Sequence, residues 1–276
     1  MKKLEDNQHI VIEKSKNVIP MKKCIVAFLD ILGSSAILCS DDRSRVSKYI
    51  NGIEGLYDMI LDRFYNFHIK TFSDNLLIFS EDSSDSGIAA MVASVAQLQY
   101  EILKEFGLML RGGIVVDDLH WNEKSDDRNN DFVIGKSIVR AYEMESRTAI
   151  YSRVLIAEKD FSDYFNRYNI DDISYVIKDG DGNLYIDYLQ VTLNDGFTDD
   201  DMMYEHISAL KRHVYEDLDN IICKDYEWDK IRSKDIWALC YHNSFCIRHD
   251  IPVKVGFTEE FDDAKRRIII KFDDDV

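Results

Sequence analysis

Two aspartates occupy places in this sequence where carboxylates could hold metal ions. Asp30 directly follows Cys24–Leu29, a short apolar run that is typical of a buried strand. Asp74 lies among small polar residues between two β-prone runs, 67–72 and 76–79, which predicts a hairpin with Asp74 at its bend. Carboxylates at the ends of adjacent strands can share hard cations, which activate an attacking oxygen and neutralise a triphosphate. The pattern therefore predicts a two-metal site.

The predicted metal ligands are the carboxylates of Asp30 and Asp74 and the backbone carbonyl of Ile31. The predicted cofactors are a pair of divalent cations, Mn²⁺ or Mg²⁺, because both metals prefer oxygen ligands. Each aspartate taken alone has a simpler role open to it, since acidic residues commonly cap turns at strand ends. The metal site is favoured by the pair together with its flanking residues.

The apolar periodicity gives the order of elements that must position these acids. Strands are expected at 24–29, 67–72, 76–79, 108–116, 132–134 and 153–157, and helices at 43–64, 86–106, 137–146, 199–222 and 235–249. This order predicts an α+β fold with a ferredoxin-like βαββαβ core and a C-terminal α/β extension. Residues 117–131 are expected to form an exposed loop or an extended β finger. The predicted division is an arm at 1–22, a catalytic core at 23–160 and an extension at 161–276 that packs on the core.

The charge of the chain limits its partners. The 276 residues include 51 acidic and 34 basic side chains, a formal net charge of −17. A field of this sign repels nucleic acid and anionic membranes, so neither is an expected partner. A nucleoside triphosphate is still compatible, because bound metal ions reverse the local sign. No apolar run is long enough for a membrane span, and 5 cysteines without a signal sequence fit reduced thiols, so the expected location is cytoplasmic.

Two other segments contain residue types that bind metals, but the spacing of those residues argues against a metal site. The DGDG run at Asp179–Gly182 has the acidity of a calcium loop but lacks its alternating ligands and terminal glutamate, so a hairpin turn is expected. Cys240 and Cys246 lie near His242 and His249, but their spacing matches no common zinc pattern.

Four ordered segments resemble the motifs of class III nucleotidyl cyclases. They are FLDILG at Phe28–Gly33, KTFSDNLLIF at Lys70–Phe79 with Ser73 in place of a glycine, LRGGI at Leu110–Ile114, and IGKSIVRAYEMES at Ile134–Ser146. With AIYSRV at Ala149–Val154, YIDYL at Tyr185–Leu189 and WALCYHN at Trp237–Asn243, the chain further resembles the Pycsar pyrimidine cyclases, which are bacterial antiphage enzymes.

This resemblance implies an activity and its partners. The expected reaction converts UTP or CTP, with UTP favoured, into the 3′,5′-cyclic monophosphate and pyrophosphate. A separate effector protein would sense the product. The resemblance also implies a homodimer with composite active sites, in which Asp30 and Asp74 of one subunit face Arg140 of the other.

The resemblance assigns further site residues and shows departures. Lys70 matches a base-selecting position, although a lysine at the start of a strand is more often solvated. Arg111 matches a phosphate-binding arginine, and its rival role is an ion pair with a buried carboxylate. The helix departs from the family pattern, because its transition-state asparagine is replaced by Val139 and its arginine by Glu143. Arg140 as a catalytic residue and Lys136 as a substrate-binding residue are the available substitutes.

Further departures leave two alternatives to the pyrimidine cyclase open. Phe132 stands where adenylate cyclases have an adenine-reading acid, which argues against a purine substrate, whereas Lys70 supports a purine cyclase. The losses at Val139 and Glu143 favour a catalytically inactive, cyclase-like nucleotide sensor. Tyr142, Tyr151 and Arg153 belong to the resembling segments and are expected to serve core packing.

Overall fold

The computed structural model describes residues 20–63, 66–121, 132–168, 173–194, 197–220, 225–262 and 267–273. The strands are β1 (Lys22–Leu32), β2 (His68–Phe72), β3 (Asn75–Ser80), β4 (Met109–Trp121), β5 (Val133–Gly135), β6 (Val154–Ile156), β7 (Val176–Lys178), β8 (Leu184–Ile186), β9 (Leu193–Asn194), β10 (Phe197–Thr198), β11 (Phe257–Asp262) and β12 (Arg267–Phe272). The α-helices are α1 (Ser34–Leu38), α2 (Arg43–Arg63), α3 (Asp85–Phe106), α4 (Lys136–Glu143), α5 (Ser162–Arg167), α6 (Asp200–Asn220) and α7 (Asp225–Arg248).

The central sheet has the strand order that a ferredoxin-like core requires. Its path is β2-β3-β1-β4-β6-β8-β7, with β5 paired to β4 outside the path. The pairs β2–β3, β3–β1 and β1–β4 are all antiparallel, and α2 and α3 provide the two crossovers. The predicted α+β class and βαββαβ core are therefore confirmed. The sheet continues past residue 160, because β7 and β8 join it on the far side of β6.

The two faces of this sheet have different covers. Along β1, side chains alternate between a large core that includes Ile25 and Leu29 and a smaller cluster that includes Val26 and Phe28. The large core lies against α2, α3, α6 and α7, whose buried residues belong to the same cluster. The smaller cluster lies under α4, which contributes Ala141. Asp30 follows Phe28 in the alternation and so lies on the α4 face.

Helix α3 shows how the sequence sets the limits of an element. Its N-cap Ser84 accepts a hydrogen bond from the backbone N–H of Gly87, and Gly107 ends the helix in the left-handed conformation with φ 66°. Twelve of its residues are buried, which matches the predicted amphipathic pattern. The helix begins one residue before its predicted start at 86.

Several predicted boundaries were too short. β1 begins at Lys22, inside the segment predicted to be an arm, and residues 1–19 lie outside the described part of the chain. β4 runs on to Trp121, so 117–121 extend the strand, as the β-finger alternative has it, while 122–131 are outside the description. Helix α7 starts at Asp225, ten residues before the predicted start, and the hairpin of β11 and β12 was not predicted.

A buried hydrogen-bonded chain links α6 and α7 to Tyr188, which follows β8 of the central sheet. Tyr188 Oη lies 2.8 Å from His206 Nε2, His206 Nδ1 lies 3.0 Å from His242 Nδ1, and His242 Nε2 lies 2.7 Å from the carbonyl oxygen of Val253. Burial lowers the pKa of both histidines, which keeps the rings neutral and able to accept as well as donate. Cys246 Sγ bonds to the same Val253 oxygen, so its polar partner is protein backbone.

None of the described helices is both long and apolar enough to cross a bilayer. The cysteines in the described ranges, Cys24, Cys39, Cys240 and Cys246, are free thiols.

Candidate active site

The β2–β3 hairpin places Asp74 as predicted. Phe72 pairs with Asn75, so Ser73 and Asp74 form a two-residue turn. Ser73 has φ 59°, the left-handed conformation that glycine adopts most easily. Ser73 stands in place of the glycine in the motif that this segment resembles, and the hairpin keeps the backbone conformation that a glycine would favour.

Asp30 and Asp74 lie beside each other on neighbouring strands. Asp30 is the register partner of Asn75, and the backbone N–H of Ile31 donates to the carbonyl oxygen of Asp74 at 3.0 Å. Both carboxylates act electrostatically on the same neighbours, Tyr49 and Glu145. The sequence prediction that these acids meet at one end of the sheet agrees with this geometry.

Arg111 joins Asp30 to a buried glutamate. Across β1 and β4, Arg111 is the register partner of Asp30, and its Nε donates to Asp30 Oδ2 at 2.9 Å. The same Nε lies 2.7 Å from Glu145 Oε1, whose side chain is 4% exposed. The ion pair with a buried carboxylate, which was the rival role for Arg111, is thus present.

A short π-helical turn carries Glu145 to this position. The turn spans Met144–Thr148 and directly follows α4. It lies close to the sheet at Gly113, where an added Cβ would come within 2.7 Å of Met144 Cβ. The glycine in the RGGI segment therefore permits the close approach that brings Glu145 against Arg111. Turns of this type often occur at functional sites.

Burial and neighbouring acids raise the proton affinity of this end of the sheet. Burial is the largest cause of the raised pKa of Glu145; Asp30 and Asp74 add to it, and Arg111 opposes it. Burial also raises the pKa of Tyr49 to about 12, with smaller contributions from Tyr57 and from the same two aspartates. The cluster has more negative charge than its nearby cations neutralise.

The residues fit a divalent metal that shares its coordination with a phosphate. Asp74 Oδ1 accepts a hydrogen bond from Asn75 Nδ2 at 3.0 Å, and Asp30 Oδ2 is held by Arg111. Among the described residues, Asp30 Oδ1 and Asp74 Oδ2 receive no hydrogen bond. Mg²⁺ is commonly held by one or two carboxylates plus substrate phosphates. Within the described ranges no three acidic, histidine or cysteine side chains gather into an all-protein metal cage.

Lys70 lies on the same sheet face as Asp30. It pairs with Leu77 on β3, and Leu77 in turn pairs with Phe28 on β1. Lys70 and Asp30 are therefore two strands apart across the sheet and two residues apart along it. Beside them, Phe72 is 50% exposed and Tyr142 is 52% exposed, and both rings contact Phe28. An aromatic and partly open surface therefore adjoins the acids.

Arg140 and Lys136 lie at the opposite end of the same face. Arg140 donates to Asp117 Oδ2 at 2.7 Å and to Asp160 Oδ1 at 2.8 Å, and Lys136 is 3.1 Å from Asp117. Asp117 is six residues along β4 from Arg111, which corresponds to about 20 Å. Within one chain these cations are thus separated from Asp30 and Asp74, and their predicted roles require a second subunit.

The remaining motif residues have structural surroundings. Val139 is 57% exposed on α4, and Glu143 pairs with Arg147 one turn later at 3.3 Å. Arg153 is 1% exposed and binds Asp179 and Asp181, so the acidic DGDG turn is neutralised by a buried guanidinium. This is the hairpin turn expected there. Tyr151 stacks on Trp237, which agrees with a packing role.

Sequence reasoning missed three residues at this end of the sheet. Glu145 was part of a quoted motif but received no role. Asn75 follows the predicted bend and holds Asp74. Lys234 was excluded because the predicted helix started at residue 235; it lies on α7 and interacts electrostatically with Arg111, Asp30 and Glu145. No local sequence signal marks Lys234, because only the packing of α7 brings it here.

Solved structures with a similar fold include three nucleotide cyclases. The adenylyl cyclase CyaB from P. aeruginosa has a TM-score of 0.46 and 18% identity, covering 60% of this chain and 94% of that chain. The guanylyl cyclase Cya2 has a TM-score of 0.46 and 16% identity, covering 60% and 92%. The guanylate cyclase domain of RhGC from Catenaria anguillulae, in complex with GTP, has a TM-score of 0.43 and 17% identity, covering 59% and 93%.

No protein-family model and no curated protein matches the chain. Similarity at these TM-scores and identities assigns no activity, so the function has to come from the residues of the site.

Proposed function

We propose that this chain is a divalent-metal-dependent nucleotidyl cyclase that converts UTP, or CTP, into the 3′,5′-cyclic monophosphate and pyrophosphate. The observation that carries the proposal is the juxtaposition of Asp30, Asp74 and Arg111 at one end of the sheet. Each of the two carboxylates has an oxygen available to bind a metal ion, and the guanidinium beside them can bind a phosphate.

Arg111 is suited to hold a phosphate because only part of its guanidinium is engaged. Its recorded hydrogen bond runs from Nε to Asp30, and among the described residues its Nη1 and Nη2 donate none. The side chain is 25% exposed, so the guanidinium is not sealed within the core. Arginine binds phosphate through such paired donors. Glu145 fixes the guanidinium from the buried side, which orients the open donors.

Each part of the reaction has a residue of this chain assigned to it. When bound, Mg²⁺ or Mn²⁺ would lower the pKa of the ribose 3′-hydroxyl and neutralise the triphosphate. Asp30 and Asp74 hold the ions, with the Ile31 carbonyl as a further proposed ligand. Arg111 binds a phosphate oxygen as negative charge develops. Lys70, on the same face, is proposed to contact the base.

A homodimer would complete the site. The sheet face carries acids at one end, Arg140 and Lys136 at the other, and exposed apolar side chains between them, including Phe72, Val139 and Tyr142. In a two-fold interface each contact occurs twice. A two-fold axis through the apolar region would therefore set Arg140 of one subunit against Asp30 and Asp74 of the other. Exposed apolar patches of this kind support protein association.

The pyrimidine substrate and the antiphage role rest on the motif resemblance. Phe132 supplies no acid to read adenine, and its ring is 5.8 Å from His120 rather than beside Asp30 of the same chain. We propose UTP before CTP, with a separate effector protein that senses the cyclic product.

A nucleotide sensor without catalysis is the second candidate, and one observation favours it. Both terminal nitrogens of Arg140 are already bound to Asp117 and Asp160, so this cation is committed within its own chain. With Val139 and Glu143 in place of the expected asparagine and arginine, a transition-state donor has to come from Arg140 or Lys136. Binding without turnover would be the result if neither acts.

Incubation of the purified chain with each of the four ribonucleoside triphosphates and Mn²⁺, followed by mass spectrometry, tests the proposal. The expected result is a cyclic mononucleotide from UTP, or from CTP, and none from the same mixture with EDTA. A product from ATP or GTP alone would replace the pyrimidine assignment with a purine cyclase. Nucleotide binding without any product would favour the sensor.

A further inference from the structure

Lys234, on α7, belongs to none of the segments that resemble cyclase motifs, and it lies at the Asp30 end of the sheet. Its ammonium interacts electrostatically with Arg111, Asp30, Asp235 and Glu145. Helix α7 belongs to the C-terminal extension, for which the sequence predicts no role in the site. A basic side chain from this region is therefore a candidate for direct contact with substrate.

The packing of α7 fixes where Lys234 lies. Three residues later on the helix, Trp237 stacks on Tyr151 with centroids 6.0 Å apart and planes at 6°. Four residues later, Ala238 lines a small cavity together with Leu110 and Ser152. Residues three and four apart share a helix face, so Lys234 faces the same region. Leu110 directly precedes Arg111, which places that face at the start of β4 and next to the loop that follows the π-helical turn.

The neighbours of Lys234 on α7 are held elsewhere. Arg232 and Asp235 form a buried ion pair at 2.5 Å, and Asp235 lies 3.2 Å from His213 Nε2. The charge of Asp235 is therefore already matched by Arg232. Lys234 makes neither a hydrogen bond nor an ion pair with any residue in the described ranges.

A half-buried ammonium without such a partner is costly unless an anion meets it. Burial, and then the nearby Arg111, lower the pKa of Lys234, and both causes would be offset by a bound polyanion. Two cations, Arg111 and Lys234, thus lie beside two metal-binding acids. A metal triphosphate is a ligand that carries matching charges for both sets.

We propose that Lys234 binds the terminal phosphates of the substrate and the pyrophosphate that leaves, so that the C-terminal extension completes the triphosphate site. The inference rests on the proposed metal-triphosphate function of Asp30, Asp74 and Arg111. Arg111 and Lys234 would contact the phosphates from the same chain that holds the metal ions.

The test is equilibrium binding of inorganic triphosphate in the presence of Mn²⁺, measured by calorimetry on the full chain. Lys234→Met should weaken this binding about tenfold or more, because a charge-assisted contact is lost. Lys234→Arg should retain most of it. The matched control is Lys230→Met, one turn earlier on α7 and exposed, which should bind as the wild type does.

Two further readouts separate phosphate binding from a structural role. Binding of Mn²⁺ alone should be unchanged or tighter in Lys234→Met, since a cation is removed from beside the acids. Thermal unfolding of the ligand-free variant should show no loss of stability, whereas a structural lysine would destabilise the chain when replaced. Equal triphosphate affinity for Lys234→Met and wild type would overturn the inference, as would failure of the wild type to bind triphosphate.

Cyclisation assays on the same samples keep this inference distinct from the proposed function. A chain that forms no cyclic nucleotide, but binds manganese triphosphate in a Lys234-dependent way, would contradict the cyclase and support the phosphate site. An active cyclase with triphosphate affinity independent of Lys234 would do the reverse.

Discussion

The two ends of the α4-covered sheet face both combine acids with cations, but only one of them leaves coordination capacity open. At the Arg140 end, formed by Lys136, Arg140, Asp117 and Asp160, each acid is held by short ion pairs. Asp160 also accepts from the backbone N–H of Val116 at 2.9 Å. At the Asp30 end, formed by Asp30, Asp74, Arg111 and Glu145 with Lys234 of α7 close to it, one oxygen of each aspartate receives no hydrogen bond from the described residues.

The pKa shifts of the carboxyl groups also distinguish the two ends. At the Arg140 end burial opposes ionisation, but hydrogen bonds from the Asp118 backbone, Arg140 and Lys136 lower the pKa of Asp117 to about 2. At the Asp30 end burial raises the pKa of Glu145. A cluster whose acids are neutralised by neighbouring cations stabilises the fold without a ligand. A cluster with excess negative charge is instead stabilised when a cation binds. The difference supports our proposal that metal and substrate bind at the Asp30 end.

Replacement of either proposed metal ligand, Asp30 or Asp74, should give the largest effect. Asp30→Asn and Asp74→Asn preserve side-chain shape but remove the charge that holds cations, so cyclase activity should fall about 10³-fold or more. The measurement is product formation with UTP and Mn²⁺. Asp118→Asn, an exposed aspartate on β4, is the matched control and should stay near wild type. Retained activity in Asp74→Asn would contradict the proposal that the Asp30 end, and not the Arg140 end, binds the metal ions.

Mixing inactive subunits tests whether the two ends meet across a dimer. An equal mixture of Asp74→Ala and Arg140→Ala chains should recover about a quarter of wild-type activity, because half of the dimers carry one intact composite site. Subunits are exchanged by mild denaturation and refolding, and each variant refolded alone is the control. Absence of recovery, with mixed dimers present by native mass spectrometry, would mean that Arg140 serves only its own chain.

Arg111→Lys addresses the dual role of this guanidinium. Lysine can still pair with Asp30 and Glu145 but lacks the Nη donors, so kcat/KM should fall about a hundredfold. The free energy of unfolding should change little, as judged by urea denaturation. If kcat/KM is unchanged, Arg111 acts only as an ion-pair partner, as Arg140 does toward Asp117.

The pH dependence of stability should have opposite signs at the two ends. The folded pKa of Glu145 is raised, so the cost of its charge grows as pH rises above the ordinary value of 4.5. Glu145→Gln should therefore gain stability relative to wild type as pH rises through that window.

Asp117 has a lowered folded pKa, so its stabilising contribution is present above pH 3.8 and is lost as pH falls toward about 2. The deficit of Asp117→Asn should accordingly shrink in acid. Urea denaturation from pH 2 to 7, with EDTA present, measures both differences. If the stability of both variants relative to wild type changed in the same direction with pH, the predicted difference between the two ends would be wrong.

The smallest expected effect concerns the hairpin turn. Ser73→Gly should stabilise the chain by about 0.5 kcal/mol, because relief of the left-handed φ exceeds the added entropy of the unfolded chain. Thermal unfolding measures the gain, and Ser73→Ala, which keeps the Cβ, should show none. Loss of stability in Ser73→Gly would mean that the serine side chain itself holds the turn.

The sequence was sufficient for the parts of the site that depend on local pattern. Asp30 follows an uninterrupted apolar run, and Asp74 falls between two β-prone runs, so strand ends and a bend could be predicted from neighbours in the chain. The βαββ order then brings the two aspartates together by topology alone. The core fold and its strand order were predictable for the same reason.

The rest depended on packing between distant segments. Glu145 reaches Arg111 only because a π-helical turn lies against Gly113, and such turns leave no periodic signal. The pairing of Arg140 with Asp117 was hidden because the predicted strand ended at Val116 and left Asp117 in a polar segment open to loop or β finger, whereas it continues β4. Lys234 was missed because the polar first part of α7 masked the start of the helix.

Anomalous diffraction from crystals grown with Mn²⁺ and a non-hydrolysable UTP analogue tests the central claim most directly. The predicted result is manganese within about 2.5 Å of carboxylate oxygens of both Asp30 and Asp74, with analogue phosphates completing its coordination. Manganese bound instead by Asp117 and Asp160, or bound by neither pair at saturating concentration, would contradict it.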